Sequence, residues 1–137
     1  MILLDTDILT LLLAGHEKVR QRAEAAADEI AIPIVTWIEI LRGRFDSLTK
    51  AADGQQLREA MTRLEQSERD LDKLVVPIDD RATAEFDKLR QNKKFKKIGR
   101  ADLLIASIAL ANQATLVTRN LPHFRPIPGL SLENWAD

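Results

Sequence analysis

The sequence contains no cysteine. A disulfide framework, a thiolate metal site and a cysteine nucleophile are thereby excluded, and the composition suits a reducing compartment, so the cytoplasm is the expected location. No stretch approaches the ~20 apolar residues that a membrane-crossing helix needs. The nearest is the opening MILLDTDILTLLLAG, which has no basic leading region and carries Asp5 and Asp7 inside its apolar run, so it reads as part of the fold and not as an export signal. An excess of either charge is also lacking, since the formal net charge is −1. A nucleic-acid partner must then be held by a local basic patch, because the overall field does not attract it. Internal repeats and low-complexity segments are absent as well.

What is present is an ordinary soluble composition, 45% hydrophobic and 30% charged over 137 residues, which predicts one compact domain spanning 1–137. Residues 2–5 (ILLD) form an apolar run ending in an acid. Asp5 and Asp7 then offer capping side chains to a helix over 8–14. Val19, Ala23 and Ala26 place a second helix within 16–28. Residues 30–35 (IAIPIV) read as a buried strand, and Thr36 as the opening of a helix that runs to Phe45, with Gly43 near its end. A polar connection follows. Leu57, Met61, Leu64, Leu71 and Leu74 then put one apolar stripe on a long charged helix over 55–74. Residues 75–78 (VVPI) predict a third strand, Asp79 or Asp80 caps a helix ending near Gln91, 101–112 is an almost wholly apolar helix, and 115–118 (TLVT) is a fourth strand. The tail from Pro122 to Trp135 reads as irregular with one edge strand. Strands separated by helices imply parallel pairing, hence an α/β fold: a three-layer α/β/α domain around a central, mainly parallel sheet.

In such a sheet the functional crevice lies beyond the carboxyl ends of the strands. Asp5 ends the first strand, Glu39 follows the second, and Asp102 lies in the first turn of the apolar helix. Each acid has a local explanation. Asp5 is a helix cap, Thr36-x-x-Glu39 matches a capping box, and Asp102 favours a helix N-terminus. Together they explain more, because three carboxylates meeting at one edge repel one another unless a cation joins them. Mg²⁺ takes oxygen ligands, commonly one or two carboxylates together with water and substrate phosphate, and Mn²⁺ is the close alternative. The expected chemistry is metal-assisted hydrolysis of a phosphodiester. Asp5 and Asp102 would be direct ligands, and Glu39 would complete the shell or orient the attacking water.

LLDTDILTLLLAG, TWIEILRGR, IGRADLLIASIALANQATLVTRNLPHF and PGLSLENW, in that order, resemble the PIN-domain ribonucleases, in particular the VapC-like toxins of toxin–antitoxin pairs. The resemblance implies a PIN-like fold, a Mg²⁺- or Mn²⁺-dependent endoribonuclease, a homodimer, and a small antitoxin protein as partner. It carries Asp5, Glu39 and Asp102 over as the family's acids, with Asn120 at a neighbouring polar position. One departure stands out. Where the family often has a further acid before the phenylalanine, this chain has His123 before Phe124, which leaves open whether one metal or two are bound. Taken alone, a histidine in a proline-bounded loop reads as a surface residue.

Lys88, Arg90, Lys93, Lys94, Lys96, Lys97 and Arg100 crowd the approach to Asp102, with Phe95 among them. Lys96, Lys97 and Arg100 are the expected contacts to RNA phosphates, and Phe95 offers a stacking surface for a base. The apolar stripe on 55–74 is expected to face the core, with part of it available to a partner helix. Three rival functions compete. A haloacid-dehalogenase-like phosphatase would use Asp5 as its nucleophile and require a paired-acid motif, for which only Asp79-Asp80 is available. A metal-free ribonuclease would use His16 and His123 as base and acid. A catalytically weak domain would bind only RNA or antitoxin.

Overall fold

A computed structural model describes residues 1–137. Its elements run β1 (Ile2–Leu4), α1 (Thr6–Leu13), α2 (Glu17–Ala25), β2 (Ile30–Pro33), α3 (Ile34–Thr49), α4 (Gly54–Leu71), β3 (Val75–Val76), α5 (Asp80–Gln91), α6 (Arg100–Ala111), β4 (Thr115–Val117), α7 (Leu121–Phe124) and β5 (Ser131–Glu133). The strands form one sheet in the order β3-β2-β1-β4-β5, and every neighbouring pair is parallel. The chain moves outward from β1 to one side through β2 and β3, then returns to its other side for β4 and β5. The change of direction falls between β1 and β4, where an open parallel sheet forms its crevice.

Side-chain alternation along these short strands builds two cores. Leu3, Ala31 and Leu116 point to one face and meet Ala82 and Leu89 of α5 and Leu103, Ile105 and Ile108 of α6. Ile2, Leu4, Ile32 and Val117 point to the other and meet Ile8 and Leu9 of α1, Val19 of α2 and Leu71 of α4. This is the expected three-layer α/β/α arrangement. The sheet is wholly parallel because even the tail strand β5 joins β4 in parallel register, with Leu116 opposite Leu132.

The start of α3 differs from the expectation. The helix begins at Ile34, directly after β2, with Pro33 at the N-cap and no side-chain cap. Pro33 has φ −62° and ψ 148°, so the ring locks the turn from strand to helix without a loop. Thr36 therefore does not cap. It is fully buried, and its hydroxyl donates to the Leu4 carbonyl at 3.1 Å, fastening α3 to the central strand. Glu39 consequently sits in the second helical turn. Gly43 does not end the helix either, which continues to Thr49. Its intrinsic cost, about 1 kcal/mol, is offset by packing of α3 along α4. Replacing Thr36 by valine keeps the shape and removes the donor. The expected result is a loss of about 1–2 kcal/mol in unfolding free energy, read from the urea midpoint. An unchanged midpoint would show that the bond adds nothing.

On α4 the apolar stripe divides. Leu71 is buried and belongs to the second core, whereas Leu57 and Met61 are exposed. The core-facing expectation holds only for the carboxyl-terminal part of the helix. Phe95 also differs from its expected role: it is 4% exposed and packed in the first core, so it offers no stacking face to a base. No helix is long and apolar enough to cross a membrane.

Candidate active site

The site is organised by Asp5, the first residue beyond the central strand. Its backbone N–H donates to the Val117 carbonyl at 2.9 Å, which extends the pairing of β1 with β4 by one step. Because Leu4 stands opposite Val117, the next residues along each strand, Asp5 and Thr118, come together. The Thr118 hydroxyl donates to Asp5 Oδ2 at 2.8 Å, and the Thr6 N–H donates to Asp5 Oδ1 at 2.8 Å as α1 begins. Asp5 thus caps α1 and also sets a buried carboxylate at the carboxyl edge of the central strand, within electrostatic reach of Asp7 and Asp102.

Burial is the chief influence on Asp5 and raises its pKa from 3.8 to about 6. The Thr118 bond opposes that rise, the charge of Asp7 adds to it, the Thr6 bond opposes it, and the charge of Asp102 adds to it. Asp102 lies in the first turn of α6, a helix whose N-cap is Gly99 and which therefore has no side-chain cap at this end. Glu39 reaches the same edge from α3, where the Thr6 hydroxyl donates to its Oε1 at 2.9 Å. Neighbouring residues Asp5 and Thr6 are in this way joined to both flanks of the crevice.

Two groups beyond the three acids take part. Asp7 accepts the Arg119 N–H through Oδ2 at 3.1 Å, tying α1 to the loop after β4. Its place in Asp-x-Asp was legible as capping only, although the two-residue spacing already put it beside Asp5. His123 is the larger surprise. Its ring is mostly solvent-accessible, as expected of a proline-bounded loop, yet Nδ1 lies 3.2 Å from Asp102 Oδ2 and 2.7 Å from the Asn120 side-chain amide nitrogen. The Asn120 N–H donates to the Thr118 hydroxyl at 3.0 Å. Polar contacts therefore run from Asp5 through Thr118, Asn120 and His123 to Asp102.

No three of the chain's carboxylates and imidazoles stand close enough together to enclose an ion unaided. A hard divalent cation does not require that, since it commonly keeps several waters and uses one or two carboxylates. The donor set fits such an ion: the crevice offers carboxylate and amide oxygens, and a buried acid with raised pKa beside two further acids is relieved by a positive charge.

The basic segment is partly committed elsewhere. Lys88 pairs with Glu85 at 3.6 Å and Arg90 with Asp87 at 2.9 Å, and the Arg100 guanidinium lies 5.2 Å from the centre of the Phe86 ring. Lys93, Lys94, Lys96 and Lys97 are exposed. His16 does not join His123 at the site. It caps α2, with Nδ1 accepting from the Val19 N–H at 3.3 Å, beyond the far end of α1 and roughly 12 Å of helix from Asp5. Asp79 likewise lies apart from Asp5, capping α5 after edge strand β3 and pairing with Arg81 at 3.2 Å.

The PIN domain family model matches residues 2–125. The chain belongs to the PIN domain family. Ribonuclease VapC2 of Rickettsia felis is 33% identical to it over 138 residues, which cover 97% of this chain and 96% of that one. Among solved structures, VapBC2 from Rickettsia felis bound to a DNA fragment from its promoter superposes on this PIN domain with a TM-score of 0.77 and 31% identity, covering 98% of this chain and 99% of that chain. A toxin–antitoxin complex from Klebsiella pneumoniae superposes with a TM-score of 0.64 and 26% identity, covering 95% of each chain. The family assignment displaces the dehalogenase-like alternative, which also lacks a second acidic pair at the crevice.

Proposed function

We propose that this PIN domain is the toxin of a toxin–antitoxin pair, a cytoplasmic endoribonuclease dependent on Mg²⁺ or Mn²⁺. Its partners would be RNA as substrate, a small antitoxin protein as inhibitor and a second copy of the chain in a homodimer. The resemblance of VapC2 and of the toxin–antitoxin complex supports the biological role. The observation that carries the chemistry is Asp5, buried, hydrogen-bonded on both carboxylate oxygens, and raised to about 6 beside Asp7 and Asp102.

Asp5 and Asp102 would hold the ion, which when bound supplies Lewis-acid stabilisation of charge on the scissile phosphate and a more acidic water. The protein's own contributions are separable from that. Glu39, held on one oxygen by Thr6, keeps its other oxygen free to orient the attacking water and accept its proton. Asn120, its backbone N–H held by Thr118 and its side-chain amide against His123, would support the substrate's path at this edge. Lys96, Lys97 and Arg100, with Lys93 and Lys94, would neutralise phosphates on the way to the crevice.

Purified protein incubated with a pool of structured RNAs should cleave with Mg²⁺ or Mn²⁺ and stop in EDTA. Cleavage that survives EDTA would overturn the metal-dependent reading, and RNA binding without cleavage under every condition would leave a binding module. Changing Lys93, Lys94, Lys96 and Lys97 together to glutamine should weaken RNA binding and reduce the slope of log affinity against log salt by about 0.7 for each single-strand phosphate that is no longer neutralised. An unaltered slope would remove this patch from the RNA path.

A further inference from the structure

We propose that the Arg119 guanidinium is a phosphate contact for single-stranded RNA at the carboxyl edge of the sheet, and that the Asp137 carboxylate holds it in wait by standing where a phosphate binds. The inference deepens the nuclease reading and rests on it. Its starting point is the anchoring of Arg119. The Arg119 N–H donates to Asp7 Oδ2 at 3.1 Å, the preceding Thr118 is bonded through its hydroxyl to Asp5, and the Thr118 N–H donates to the Glu133 carbonyl at 2.9 Å. The backbone that carries the guanidinium is thus fixed beside the buried acid. The side chain itself is half exposed, and its one ion pair is a contact from a single guanidinium nitrogen to Asp137 Oδ1 at 3.2 Å.

The flank it serves follows from the two cores. Val117 faces the second core, and Trp135 and Ala136, just before Asp137, pack into the same one. The exposed lysines and Asp102 belong instead to the first-core side, where Phe95 and Leu103 are buried. An RNA strand that leaves the lysine patch and crosses Asp5 therefore meets Arg119 on the opposite flank. Exchange of partners there costs little, because exposed ion pairs add little to stability and a guanidinium gains a forked contact on moving from one carboxylate oxygen to a phosphate. Asp137 also keeps its place without Arg119. Its Oδ2 accepts from the Asn134 side-chain amide at 2.8 Å, and buried Trp135 anchors the segment. The Asn134 bond, with the charges of Arg119 and Lys18 adding to it, holds the Asp137 carboxyl below the ordinary carboxylate range. A firmly ionised carboxylate facing two cations is a stand-in for the substrate's own anion.

The two partners of the ion pair give opposite expected results, which separates an RNA contact from a merely structural clasp. Binding of a labelled single-stranded RNA of mixed sequence is measured across a salt series, in an Asp5→Asn background so that the probe stays uncut, with thermal melts beside it. Arg119→Gln should weaken binding about tenfold and reduce the slope of log affinity against log salt by about 0.7. Arg119→Lys should restore the slope and part of the affinity. Asp137→Asn should tighten binding several-fold, and most of that gain should vanish when Arg119→Gln is also present. Unchanged binding in Arg119→Gln would overturn the proposal, as would equal weakening by both single variants, the mark of a clasp. An Asp137→Asn gain that persists in full without Arg119 would also overturn it, since general charge repulsion then accounts for the effect. Failure of the underlying reading looks different: the chain with Arg119 and Asp137 intact would not bind the RNA at any salt concentration.

Discussion

Asp5→Asn is expected to lower RNA cleavage by on the order of 10³-fold, since loss of metal-centred stabilisation is worth several kcal/mol of barrier, and at the same time to make the metal-free protein more stable at neutral pH. The second effect follows from burial. The Asp5 carboxyl is raised from 3.8 to about 6 in the fold, so the folded state holds its proton at pH values where the unfolded chain has released it. Stability of the wild type therefore falls as pH rises from about 4 through about 6 and stays lower above that range, by on the order of 3 kcal/mol. Asparagine has no proton to lose and keeps the polar contacts to Thr6 and Thr118 within reach. Urea melts in EDTA should show the variant and wild type nearly equal at pH 4 and the variant more stable at pH 7.5, with the gap closing when Mn²⁺ is added. A gap independent of pH would show that Asp5 is not a strained charge.

Asp102→Asn is expected to cut cleavage by at least about 10²-fold with a change in melting temperature of no more than a few degrees. The variant keeps the size of the side chain and one oxygen, but removes the negative charge that a cation requires. The first-turn position in α6 loses a favourable charge of about 0.3–1 kcal/mol at the helix N-terminus, and Asp5 loses one of the charges that raise its pKa. These contributions oppose one another, so stability should change little while activity collapses. Steady-state cleavage of one RNA substrate beside a thermal melt separates the two. A folded Asp102→Asn protein with full activity would remove Asp102 from the ligand set.

The acids at the sheet edge were legible because each follows a recognisable strand or opens a recognisable helix, and parallel α/β topology brings such positions together. Each departure has its own cause. Thr36 has a sequence neighbourhood that fits a capping box, yet Pro33 starts the helix earlier, so its hydroxyl goes to Leu4. Phe95 lies among lysines, which makes it look exposed, but the short 3₁₀ turn over Lys93–Phe95 carries it into the first core while the lysines face water. His123 looks like a surface residue, and its ring is indeed largely open to solvent, but the buried Phe124 beside it sets the turn against Asp102.

Local chemistry alone therefore determined most of the element order, the parallel α/β class, the absence of thiol chemistry and the candidacy of Asp5, Glu39 and Asp102, since these depend on periodicity, capping and residue type along a few consecutive positions. Only the tertiary structure decided that Thr118 and Thr6 hold the acids in place, that Asp7 and His123 belong with them, and that Phe95 does not serve the surface. Those outcomes depend on strand register and on which side chains fill the two cores, and both bring together atoms separated by as many as 113 positions along the chain.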